Sequence, residues 1–169
     1  MMPRAAFLAL GVIVATWSVA GAQTPAPVRP TPGPPPAPFH LAIDAQTLAG
    51  LPRITISATD EGGHTSQYTG VSLLALIDRA GAPAGMPVRG KAMLSYIMIS
   101  AADGYHVLFT LPELDASFTD HVAVIADQID GKPFPAGAGP YRLIVPFEKR
   151  DARWVRAVTA VDLRNATPP

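Results

Sequence analysis

The sequence predicts one α+β domain, a mixed β-sheet fold with few helices, preceded by an export leader and a proline-rich linker. Three observations carry this. The apolar pattern after position 39 switches between a period of two and a period near four, with only one clear helical stripe. Asp-Gly and Gly-Gly pairs punctuate the runs, as turns between neighbouring strands do. Six or seven strand-like runs with one good helix do not alternate as a doubly wound α/β chain would. A length of 169 residues suits a single domain.

Taken in order, Met1–Ala22 begins with Arg4, runs apolar for about 15 residues from Ala5 to Val19, and ends in Ala20-Gly21-Ala22. A basic start, a greasy centre and small closing residues describe a secretory signal peptide over 1–22, too short to span a bilayer. The expected location is periplasmic or secreted, with no membrane span after cleavage. Residues 23–38 form a linker, with eight prolines between Pro25 and Pro38. Proline fixes φ and removes a donor, so this stretch reads as extended polyproline II.

The folded unit then spans 39–166. Arg53–Ser57 alternates, with Ile54 and Ile56 on one face, and His64–Thr69 can pair back on it through Asp60-Glu61-Gly62-Gly63. Ser72–Ala80 is the clear helix: Ser72 is its N-cap candidate, Leu73, Leu76, Ile77 and Ala80 form a stripe, and Gly81 ends it. Ala92–Ser100 and Tyr105–Leu111 are strands joined at Asp103-Gly104, and Pro112–Ala116 is a helical turn. His121–Ile129 reads as a buried strand, and Tyr141–Pro146 and Trp154–Leu163 as the last two.

Composition excludes several chemistries. Thirteen Lys+Arg balance thirteen Asp+Glu, so no basic stripe for nucleic acid is expected. With no cysteine there is no disulfide, iron–sulfur cluster, Cys-ligated zinc or thiol nucleophile. His40, His64, His106 and His121 are scattered without metal-ligand spacing, and Gly-x-Ser-x-Gly is absent. Gly137-Ala138-Gly139-Pro140 leads into a strand, so it is not a phosphate loop. Asp78, Asp103, Glu113 and Asp115 offer carboxylates, with no pairing evident from spacing.

Four segments, in order over about 100 residues, carry a family resemblance. Tyr68-Thr69-Gly70-Val71-Ser72-Leu73-Leu74-Ala75-Leu76-Ile77 resembles the aromatic-x-Gly-Val-x-Leu-x-x-Leu-Leu helix start of the sulfite-oxidase-type molybdopterin-binding domain. Ser100-Ala101-Ala102-Asp103-Gly104-Tyr105 resembles that family's Ser-x-x-Asp-Gly-Tyr turn. Gly139-Pro140-Tyr141-Arg142-Leu143-Ile144-Val145-Pro146 resembles its Gly-x-Pro-x-Arg-Leu-Val-x-Pro strand, and Arg153-Trp154-Val155-Arg156-Ala157-Val158 the Lys-Trp-Val-Lys-x-Ile strand after it.

The resemblance implies a cofactor-binding set of Ser100, Asp103, Gly139, Arg142, Arg153 and Arg156, with the arginines meeting a pterin phosphate. It also implies a molybdenum-ligating cysteine at a position that is Ala58 or Thr59 here, neither of which is a soft anionic ligand. The polar residue often found five before the arginine is Gly137. No catalytic residue, metal ligand or bound molybdenum is therefore expected. The expected function is a non-catalytic binding or accessory module that takes a molybdopterin-like anionic small molecule or a periplasmic redox partner protein. The alternative is a molybdopterin-dependent oxidoreductase or a subunit of one. The arginines also have a plainer reading as solvated strand residues, with Arg142 paired to Glu148 or Asp151.

Overall fold

A computed structural model describes residues 34–83 and 88–166, which belong to one compact unit. The leader read at 1–22 and most of the linker lie outside the described residues. The domain is a mixed α+β fold of two antiparallel sheets and few helices.

The first sheet has the order β1 (Phe39–Ala42), β9 (Val158–Asn165), β4 (Ser95–Ala101), β5 (His106–Thr110). The second runs β2 (Arg53–Thr59), β3 (Thr65–Ser72), β6 (Val124–Ile129), and β6 carries both β7 (Lys132–Pro133) and β8 (Arg142–Ile144). Alternation explains the burial: in β4 Ser95, Ile97, Ile99 and Ala101 are buried while the residues between are not. Ile97, Ile99, Phe109, Val161 and Leu163 of the first sheet join Val71, Ile125, Leu143 and Ile144 of the second in one apolar cluster.

Helix α2 (Leu73–Arg79) seats Leu73, Leu76 and Ile77 in that cluster. Ser72 stands at its N-cap, as expected, although its side chain makes no capping bond. Gly81, at φ +97°, closes the helix, with Ala82 N–H donating to the Ile77 carbonyl at 2.9 Å. The other two α-helices among the described residues are single turns, α1 (Ala45–Leu48) and α3 (Leu111–Leu114).

Several boundaries differ from the expected ones. The strand expected from Ala92 begins only at Ser95, because Gly90–Leu94 winds into a 3-10 turn. His121–Ala123 stays irregular before β6. Trp154–Ala157 is likewise irregular before β9, where Ala157 takes φ +46°. β1 and α1 carried no recognised signal: β1 has four residues and follows the prolines directly.

A first prediction concerns α3. Glu113 accepts from the Thr110 amide at 2.7 Å and from its hydroxyl at 2.9 Å. Partial burial raises the Glu113 pKa, but those two bonds and Arg153 outweigh it, and the net effect lies below the usual value of 4.5. A carboxylate with a depressed pKa stabilises the fold above its unfolded value and loses that contribution as pH falls through the folded one. Melts on the acid side of pH 4.5 should therefore fall more steeply for the wild type than for Glu113→Gln. Parallel acid limbs would refute the assignment.

Candidate functional site

A cavity of about 670 Å³, open to solvent, lies where the β4–β5 turn faces the 151–157 segment. Asp103 and Tyr105 form one wall, Asp151 and Trp154 another, with Arg156 and Gly137 beside them. Local rules build the first wall. Asp103 accepts from the Tyr105 amide at 2.9 Å, the side-chain-closed turn that Asp-Gly favours. Tyr105 is 48% exposed, not a core aromatic, and its hydroxyl donates across the cavity rim to the Ala152 carbonyl at 2.8 Å.

Aromatic packing backs the Trp154 wall. Trp154 is buried, donates Nε1–H to the Val145 carbonyl at 2.9 Å, and meets Tyr68 edge to face at 5.7 Å. Phe134 stacks beyond Tyr68 at 6.4 Å. The β2–β3 turn ties to the second wall, since Asp151 accepts from the Glu61 amide at 2.9 Å and Arg150 bonds Glu61 at 3.1 Å.

Arg156 lines this cavity, and it and Arg142 lack the carboxylate partner that four other arginines have. Arg53, Arg150, Arg153 and Arg164 each meet a carboxylate. Arg142 and Arg156 make no hydrogen bond or ion pair among the described residues. Arg142 does not line the cavity itself. It stands on β8, which bonds to the 155 segment through Leu143 N–H and the Val155 carbonyl at 2.9 Å. Its guanidinium rests over the Phe134 ring at 5.4 Å, and its Nε is buried without a partner. Burial pulls the Arg142 pKa below its ordinary value, and the positive charge of Arg156 pulls the same way against relief from Tyr68, Asp151 and Asp60. Neither guanidinium makes an ion pair among the described residues, although Asp151 and Asp60 partly offset the Arg142 charge from a distance.

The remaining expected residues go elsewhere. Arg153 is committed to structure: it pairs with Glu148 and Glu113, donates to the Leu108 carbonyl at 2.8 Å and covers the Phe109 ring at 4.0 Å. Glu148 thus serves Arg153 and not Arg142. Ser100 bonds His106 Nδ1 at 3.0 Å, one residue before the cavity wall. Gly139 packs on Phe134, where an added Cβ would sit 2.7 Å from the Phe134 Cβ, so its role is space. Of the six residues, Asp103 and Arg156 line the cavity. Tyr105, Asp151 and Trp154 line it too, although the sequence reading did not assign them to a site.

At the position where the resemblance implies a thiolate, Ala58 is buried on β2, and Thr59 shares a hydroxyl contact with Thr65 at 2.8 Å. Among the described residues no group of three His, Asp or Glu side chains could hold a metal ion. Among them, too, no helix is long and apolar enough to cross a membrane. Neither the protein-family models nor the curated proteins compared with this chain match it.

Proposed function

We propose that this chain is an exported, non-catalytic binding module of the sulfite-oxidase-type molybdopterin-binding fold that holds a phosphate-bearing small molecule at Arg142 and Arg156. The single observation that carries the reading is that Arg156, at a cavity lined by Trp154 and Tyr105, and Arg142, on the adjoining strand β8, make no ion pair among the described residues. Guanidinium groups suit phosphate because two N–H donors match two oxygens, and partial burial strengthens the contact. The Trp154 and Tyr105 side chains give a flat heterocycle something to lie against.

The residues fit the anionic part of a molybdopterin and do not fit its metal centre. A thiolate is required where Ala58 and Thr59 stand, and the chain has no cysteine to provide one. The oxidoreductase alternative therefore finds no support in the side chains.

Calorimetric titration of the purified chain tests the proposal with inorganic phosphate, a nucleoside monophosphate and the matching nucleoside. Binding should require the phosphate, and it should weaken as salt is raised. Equal affinity for nucleoside and nucleotide, or no heat with either phosphate compound, would overturn it. About one molybdenum per chain in protein isolated from its own host, against the expected absence, would promote the oxidoreductase instead.

A further inference from the structure

We infer that the free edge of β2 is a self-association surface on which a second copy of this chain pairs antiparallel, extending the second sheet across a two-fold axis. Exposed strand edges template pairing, and folded proteins ordinarily blunt them. The other edges here are blunted. β1 has only four residues. β5 has its Leu108 carbonyl taken by Arg153 and its Thr110 amide by Glu113. β7 has two residues, one of them Pro133, and β8 has three and is bonded on its outer side to Val155. β2 has seven residues, no proline, lysine or bulge, and pairs only with β3.

The direction of its backbone groups follows from one hydrogen bond. Asp60 N–H donates to the His64 carbonyl at 3.0 Å, continuing the β2–β3 register. In an antiparallel ladder such groups alternate, so Ile54, Ile56 and Ala58 bond inward to β3. Arg53, Thr55, Ser57 and Thr59 then aim their amides and carbonyls outward, and no hydrogen bond among the described residues uses them.

The occupant is argued from self-complementarity. A two-fold centred on Ile56 places Arg53 opposite Thr59 and Thr55 opposite Ser57 of the mate, so every outward group finds a partner. On the core-facing side Ile56 meets Ile56 and Ile54 meets Ala58, covering two isoleucines that are only half-buried. Arg53 keeps its charge paired with Asp127 of its own chain, so no unpaired cation opposes the mate at this edge. A net charge of zero leaves no general repulsion between copies. Both copies use the same edge, so the contact closes as a dimer and does not propagate.

Sedimentation velocity across the micromolar to sub-millimolar range should show a reversible monomer–dimer equilibrium. Ser57→Pro deletes one outward N–H at an edge position that tolerates proline, so it should leave a folded monomer. Hydrogen exchange on the wild type gives a second readout that does not depend on that variant folding. The Arg53, Thr55, Ser57 and Thr59 amides should gain protection as concentration rises, and the Ile54 and Ile56 amides should be protected throughout. A wild type that stays monomeric across the range overturns the inference. So does a dimer that survives Ser57→Pro, or outward amides whose exchange ignores concentration.

Discussion

Gly70→Ala is expected to remove a large part of the domain's stability, about 3–5 kcal/mol against the roughly 5–15 kcal/mol typical of a folded domain. Gly70 sits on β3, the strand between β2 and β6, where the β3–β6 register shifts between Thr69 and Gly70. An added Cβ would lie 2.1 Å from the Ile125 carbonyl oxygen and 2.5 Å from the Ala126 Cα. Both are backbone atoms of a neighbouring strand, which cannot rotate away as a side chain can. Relief requires β6 to move, and β6 also holds β3, β7 and β8. Gly63→Ala is the contrast. Nothing lies within 4 Å of a Cβ there, so only the φ of +80° penalises it, by about 1–2 kcal/mol. Urea denaturation of the two variants beside the wild type measures both costs. A Gly70→Ala loss no larger than that of Gly63→Ala would refute the close-approach argument.

The parts of the fold legible in the sequence are those decided by short-range pattern. The Leu73, Leu76, Ile77 stripe between Ser72 and Gly81 specifies α2 within one turn of chain, and the structure keeps it. Arg53–Ser57 alternates and becomes β2, with Ala58 and Thr59 added at its end. Where the expected and observed bounds part, tertiary contacts decide. Trp154 has a strand former's side chain, yet it turns inward to the Val145 carbonyl and the Tyr68 ring, and pairing with β4 begins only at Val158. The site follows the same division. Asp103 could be placed because its turn is local. The fate of Arg153 depends on Glu113, 40 residues away, and on Leu108, 45 residues away. Spacing along the chain holds no trace of those partners, so Arg153 and Arg142 looked alike as strand cations. Only the folded chain shows one neutralised and the other bare.

That difference makes the second large effect testable by a crossed pair of variants. Arg142→Ala should weaken nucleotide binding tenfold to a hundredfold, the equivalent of about 1.5–3 kcal/mol for a charge-assisted contact. It should cost little stability, because the guanidinium gives up no hydrogen bond and Nε already lies buried without a partner. Burial and Arg156 make its charged form unfavourable in the free protein, which offsets the lost contact with Phe134. Arg142→Lys should not restore binding, since an ammonium lacks the two-pronged donor geometry. Arg153→Ala should behave in the opposite way. It strands Glu148, Glu113 and the Leu108 carbonyl, so stability should fall by about 1–2 kcal/mol after allowance for partial exposure, with affinity unchanged. Melting curves and calorimetry on both proteins read the two axes separately. If Arg142→Ala titrates like the wild type, Arg142 belongs with Arg153 as a structural cation, and the cavity has no anion to receive.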